Sequence, residues 1–165
     1  MRREARIRRL KGIIEDAFKA IPYPGDNNIA GADHCDECYD LARAFRGKRW
    51  QDITLEFLQK GLLASGLPLF NFAALRYYLP AYMIVSVEHY IEAEAIPGFI
   101  LNIIVPHSAE PDSFFLESFE PLTSDQKRAV RLFLEYMVDG CPDDWSGDPD
   151  DDTPLQGIEK YWGNY

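Results

Sequence analysis

The chain has 165 residues, 47% of them hydrophobic and 13% aromatic, with a formal net charge of −10 at pH 7. That length fits one domain, or one domain with a tail, and the apolar content is ample for a core, which excludes global disorder. The acidic balance argues against nucleic acid as a partner, because affinity for a polyanion comes largely from neutralising its phosphates.

The first eleven residues carry Arg2, Arg3, Arg6, Arg8, Arg9 and Lys11 against Glu4 alone. No apolar signal segment follows, since Glu15 and Asp16 come directly after Ile13 and Ile14. Ile7, Leu10, Ile14, Ala17, Phe18 and Ile21 recur at three- and four-residue spacing and predict a helix from about Arg3 to Ala20. Pro22-Tyr23-Pro24-Gly25 ends it. A second helix is expected from Asp33 or His34 to Arg46, with Asp33 as its cap and Gly47 as its stop. Trp50, Ile53, Phe57 and Leu58 suggest a third, short helix starting near Asp52 or Thr54.

Between Gly61 and Val87 the only charge is Arg76. Pro68, Asn71 and Pro80 break this stretch, and neither half reaches the roughly 18 apolar residues of a membrane span. It reads as buried core. Asn71 is expected to cap a short helix through Tyr78, and Pro80 to open a longer one to Ala95. Met83, Ile84, Val87, Ile91 and Ala95 would be its core stripe. Phe99 to Val105 fits a helix turn or a short strand, and periodicity does not separate the two. Ser124 is expected to cap a helix through Val138. The predicted class is mostly α: a bundle of five to six helices over residues 1–138, then an irregular, acidic, aromatic-containing tail over 139–165 that packs back on the domain.

The densest chemistry lies in Asp33-His34-Cys35-Asp36-Glu37-Cys38. Three cysteines in all imply no disulfide framework and favour a reducing compartment, hence the cytoplasm. On a helix, His34, Cys35 and Cys38 project from about one turn. Cys-x-x-Cys is also half of a structural zinc centre, so His34, Cys35 and Cys38 are the candidate ligands and zinc the candidate ion. Redox use of the same thiols is disfavoured by the crowd of Asp33, Asp36, Glu37 and Asp40, because like charges oppose thiolate formation. The plain alternative is that both cysteines are packing residues at a helix start.

Two weaker patterns follow. Glu88, His89 and Glu92 put carboxylates and an imidazole on one predicted helix, although a solvated acidic face explains them as well. Asp148, Asp150, Asp152 and Glu159 match positions one, three, five and twelve of a calcium loop, but Thr153 stands where that loop needs glycine.

The segments His34-Cys35 with Glu37-Cys38, then Gly47, Trp50 with Asp52, and Tyr77-Tyr78-Leu79-Pro80-Ala81-Tyr82, together with Phe119-Glu120-Pro121-Leu122-Thr123, Gln126 and Phe133-Leu134-Glu135-Tyr136, resemble an uncharacterised family of small bacterial proteins. The resemblance runs from the first helix to Tyr136 and leaves the acidic tail outside. It implies a bacterial cytoplasmic setting and brings no mechanism with it.

No catalytic constellation emerges, and the leading functional expectation is protein–protein binding. Small acidic domains neutralise basic partners, as an immunity protein does a toxin, because complementary charge speeds encounter and suppresses wrong partners. Asp139, Asp143, Asp144, Asp148, Asp150, Asp151 and Asp152 would form the anionic surface, with Trp145 or Trp162 as an anchor. No membrane is expected as a partner; a second copy of the chain is a further candidate. The alternative is a zinc-binding protein or zinc-dependent hydrolase built on His34, Cys35 and Cys38.

Overall fold

The computed structural model describes residues 2–31, 35–140 and 153–165. Among them the chain is mostly α, as expected, with eight α-helices and one isolated bridge between Ala30 and Phe70. The helices are α1 (Arg2–Phe18), α2 (Asp36–Phe45), α3 (Leu55–Leu58), α4 (Phe72–Glu88), α5 (Ile96–Ile104), α6 (Ser113–Phe119), α7 (Ser124–Gly140) and α8 (Pro154–Lys160). Short 3₁₀ turns cover Trp50–Asp52, Leu67–Leu69 and Trp162–Asn164. None of the described helices is long and apolar enough to cross a membrane. The chain divides into two units: Phe18–Ile100, and the residues up to Ala17 together with Leu101–Tyr165.

The unit Phe18–Ile100 is organised on α4. The helix runs unbroken through Pro80, where two helices were expected. Proline inside a helix removes one ladder hydrogen bond and costs roughly 3 kcal/mol. Here Ala74, Leu75, Tyr77 to Met83 and Val85 to Val87 are all buried, so apolar burial on every side outweighs that cost. Asn71 holds the N-cap position without a side-chain cap; its amide donates to Asn28 Oδ1 at 2.9 Å. The helix also stops early. It ends at Glu88, Glu94 takes a left-handed backbone with φ 50°, and Ile91 is 78% exposed instead of joining the core.

Helix α2 buries one stripe, Cys38, Leu41 and Phe45, at three- and four-residue spacing. Phe45 meets Phe57, Phe70 and Tyr78 edge-on, with ring centroids 4.6–5.0 Å apart. Two buried phenols of α4 close the neighbouring turns. Tyr78 Oη donates toward the carbonyls of Phe45 and Lys48, at 3.0 and 2.8 Å, and Tyr82 Oη to that of Leu63 at 2.5 Å. Thr54 caps α3 by accepting from the Phe57 amide, in line with its expected position near that start.

In the other unit the expected α7 cap moves by one residue. Thr123, not Ser124, makes a reciprocal capping box: its hydroxyl accepts from the Gln126 amide at 3.2 Å, and Gln126 Oε1 accepts from the Thr123 amide at 3.0 Å. Helix α6 was not foreseen; Asp112 caps it by accepting from the Phe115 amide at 2.8 Å. The ambiguous Phe99–Val105 stretch is helical as far as Ile104, where α5 ends. Over 153–165 the chain is regular where an irregular tail was expected: Thr153 caps α8, and Pro154 takes its first turn. Trp162 is fully buried against Phe115, Phe119 and Tyr161, and its indole N–H donates to the Ile104 carbonyl at 2.6 Å. Gly157 lets α8 approach closely: a Cβ there would lie 3.1 Å from Leu134 Cδ1 and 3.2 Å from Val105 Cγ2.

Two substitutions test these cores separately. Trp162→Ala should cost about 3–5 kcal/mol of stability, through lost burial and an abandoned carbonyl. A Cβ at Gly66 would sit 2.5 Å from Cδ1 of the buried Leu41 and 3.3 Å from the Leu62 carbonyl oxygen. Gly66→Ala should therefore cost about 1–3 kcal/mol by overpacking. Urea unfolding of each variant against the parent measures both, and a Gly66→Ala chain as stable as the parent would contradict the packing described.

Candidate functional site

The sequence-predicted sites divide between the two units. In the unit Phe18–Ile100, Cys35 is the N-cap of α2, a role expected of Asp33, which lies outside the described residues along with His34. The backbone of Cys35 is extended, and its Sγ accepts from the Cys38 amide at 3.1 Å. Cys35 is exposed, whereas Cys38 opens the buried stripe of the helix. The interaction with Cys35, partial burial and the nearby charges of Cys35 and Glu37 push the Cys38 thiol above the ordinary cysteine range. The structure thus brings two of the three predicted metal ligands together on one turn. Among the described residues no three His, Cys, Asp or Glu side chains gather closely enough to hold a metal ion.

The Glu88-His89-Glu92 pattern loses its scaffold. Helix α4 ends at Glu88, His89 is its C-cap, and Glu92 lies in the turns beyond, so the three do not share a helical face. The calcium pattern loses its geometry as well. Asp148, Asp150 and Asp152 lie outside the described residues, but Thr153 caps a helix that runs through Glu159, and a helix is incompatible with positions six to twelve of a coordinating loop.

In the other unit, Asp139 is exposed on the last turn of α7. It accepts from Arg6 Nη2 at 3.0 Å, and the Arg6 guanidinium also lies 5.6 Å from the Tyr136 ring centre. Both side chains of this ion pair are more than half exposed, so its contribution to stability is small. Asp143, Asp144, Trp145, Asp148, Asp150, Asp151 and Asp152 lie outside the described residues. The helices that flank this run, α7 and α8, pack on each other.

One polar cluster escaped the sequence reading. Lys127 is buried in α7, and its ammonium group meets Glu120 Oε2 at 2.5 Å and Tyr165 Oη at 3.3 Å. It also stands 4.5 Å from the Tyr165 ring centre and 5.9 Å from that of Tyr161. Arg131 Nη1 donates to the Tyr165 carbonyl at 2.8 Å, and Lys160 Nζ to the Pro106 carbonyl at 2.9 Å. These contacts fasten the segment after α8. The signal was faint: Glu120 and Lys127 are seven residues apart across the Thr123 cap, a pairing that only the turn into α7 creates.

The sequence pattern of a family of unknown function, DUF6714, matches residues 7–165. It therefore extends through the acidic stretch and the C-terminal helix, where the resemblance read from short motifs stopped at Tyr136. No curated protein and no solved structure matches the chain.

The Glu120–Lys127 pair has a defined pH signature. The hydrogen bond from Lys127 holds the Glu120 carboxyl below the ordinary glutamate range, against a smaller opposing effect of burial. A carboxyl lowered by folding stabilises the fold fully above its unfolded value, and that contribution disappears as pH falls through the folded value. Burial alone would pull Lys127 down, but its bonds to Glu120 and Tyr165 prevail and raise it. Its contribution is lost only on the alkaline side. Glu120→Gln should accordingly be less stable than the parent at neutral pH, and the difference should close in acid. Unfolding midpoints measured from neutral pH down through the carboxylate range check this; a gap that persists at the acid end would assign the loss to packing alone.

Proposed function

The chain belongs to DUF6714, a family of unknown function, and from that premise we propose that it works as an acidic binding protein that neutralises a basic protein partner, in the manner of an immunity protein facing a toxin or effector. The observation that carries this reading is the charge: a net −10, with Asp139, Asp143, Asp144, Asp148, Asp150, Asp151 and Asp152 and no basic residue between Asp139 and Asp152. Such a run raises the local concentration of cations and steers a basic surface into contact. Two structural facts support it. Asp139 is already engaged with a guanidinium, Arg6, at an exposed position, which is the contact a basic partner would extend. The run is also bounded on both sides by helices that pack on each other. Trp145 supplies an aromatic anchor of the kind that concentrates binding energy. A bacterial, cytoplasmic setting fits this role.

The test is calorimetric titration against the basic proteins encoded beside this chain's gene, at low and at physiological salt. Binding should weaken as salt rises. Replacing the seven aspartates by asparagine should lower affinity by at least ~10-fold, mostly through slower association, and flatten the salt dependence. An unchanged affinity in the asparagine variant would refute the proposal.

A further inference from the structure

The Cys35–Cys38 pair has a geometry that the acidic surface does not use. Cys35 is exposed at the N-cap of a ten-residue helix, and Cys38 is buried one turn in. The Cys38 amide also points at the Cys35 sulfur at 3.1 Å. A disulfide needs its two Cα atoms about 4.4–6.8 Å apart. Residues one turn apart at a helix start meet that requirement, and an extended N-cap residue turns its side chain over the helix end toward the third helical position.

We infer that Cys35 and Cys38 form a reversible dithiol–disulfide couple whose substrates are small-molecule disulfides of the glutathione class. The exposed Cys35, as thiolate, attacks one sulfur of the disulfide. A mixed disulfide forms and one small thiol leaves. Cys38, deprotonated in turn, attacks the Cys35 sulfur; the mixed bond breaks, the intramolecular bond forms, and the second small thiol leaves. Two electrons pass from the protein to the substrate, and the two cysteine protons end on the two released thiols. Run backward, the same steps oxidise two small thiols. The asymmetry of exposure assigns the roles: Cys35 meets the substrate, and Cys38 resolves. The interaction with Cys35, burial and the Glu37 carboxylate raise the Cys38 thiol, which slows resolution without altering this connectivity.

The experiment uses the reduced full chain carrying Cys141→Ser, exposed to oxidised glutathione and followed by alkylation and intact mass. Both thiols should be lost to alkylation, the mass should fall by two hydrogens, and peptide mapping should join Cys35 to Cys38. Cys38→Ser in the same background should stop with one glutathione on Cys35. Cys35→Ser should lose its remaining thiol at least ~10-fold more slowly, since a buried sulfur is the poorer nucleophile. The unsubstituted chain gives the same mapping with Cys141 alkylated, so the result stands even where a variant fails to fold. A stable glutathione adduct on the chain with both cysteines would overturn the inference, because Cys38 would then not resolve. So would zinc that co-purifies and shields both thiols until it is chelated. Neither outcome touches the acidic-surface reading, which is decided by salt-dependent binding.

Discussion

The arrangement of α2 rests on one constraint: α4 is buried on almost every side, and its phenols need acceptors in an apolar interior. A buried hydroxyl without a partner costs about 1–3 kcal/mol. Tyr78 and Tyr82 find theirs in the carbonyls of Phe45, Lys48 and Leu63, which lie at the end of α2, in the turn after it, and before the Leu67–Leu69 turn. Burial pushes both phenols well above the ordinary tyrosine range, so they remain protonated donors at any physiological pH. From there the geometry propagates along the helix. Phe45 is fixed by its ring contacts, Leu41 by the close approach of Gly66, and Cys38 by its place on the same stripe. Once Cys38 faces inward, the N-cap position must carry Cys35 at the surface.

Periodicity revealed the elements whose burial is one-sided. Helices α1, α2 and α7 show apolar residues at three- and four-residue spacing, and their extents were readable to within a few residues. Helix α4 was not, for a physical reason. Its residues are apolar all round, so there is no amphipathic stripe to follow, and Pro80 reads locally as a start signal. Only burial on every side explains why the helix tolerates it. Helix α8 was hidden by composition: Pro154 and Gly157 mark a loop by propensity, yet one sits in a first turn and the other at a close helix contact. Ile91 shows the opposite failure, a correctly spaced apolar residue left outside because the chain leaves the helical path after Glu88.

The candidate sites were legible as residues and illegible as relationships. The Cys-x-x-Cys spacing was plain, but Cys35 as the cap of α2, with Asp33 displaced from that role, could not be read, because aspartate has the stronger intrinsic cap preference. The acidic run was equally plain. One of its members, Asp139, pairs with Arg6 of the basic N-terminal stretch, while Glu120 and Lys127 form a more buried contact that no charge count predicted. Buried charge is recognised by what surrounds it, and Lys127 is surrounded by two tyrosine rings that come from the far end of the sequence.

The acidic run and the thiol pair belong to different units of the chain, and the roles proposed for them rest on physics of different range. Charge acts over about a Debye length, roughly 8 Å at physiological salt, and tolerates imprecise placement. Thiol exchange needs two sulfurs in line at bonding distance, and a small change in the α2 cap abolishes it. A charge effect therefore tolerates changes in the length and order of an acidic run, whereas exchange between Cys35 and Cys38 requires the N-cap residue to reach the third helical position. That difference separates the two roles. A function carried by charge survives any rearrangement that keeps the carboxylates exposed. A function carried by the thiols depends on the Tyr78 and Gly66 contacts that hold α2 in place.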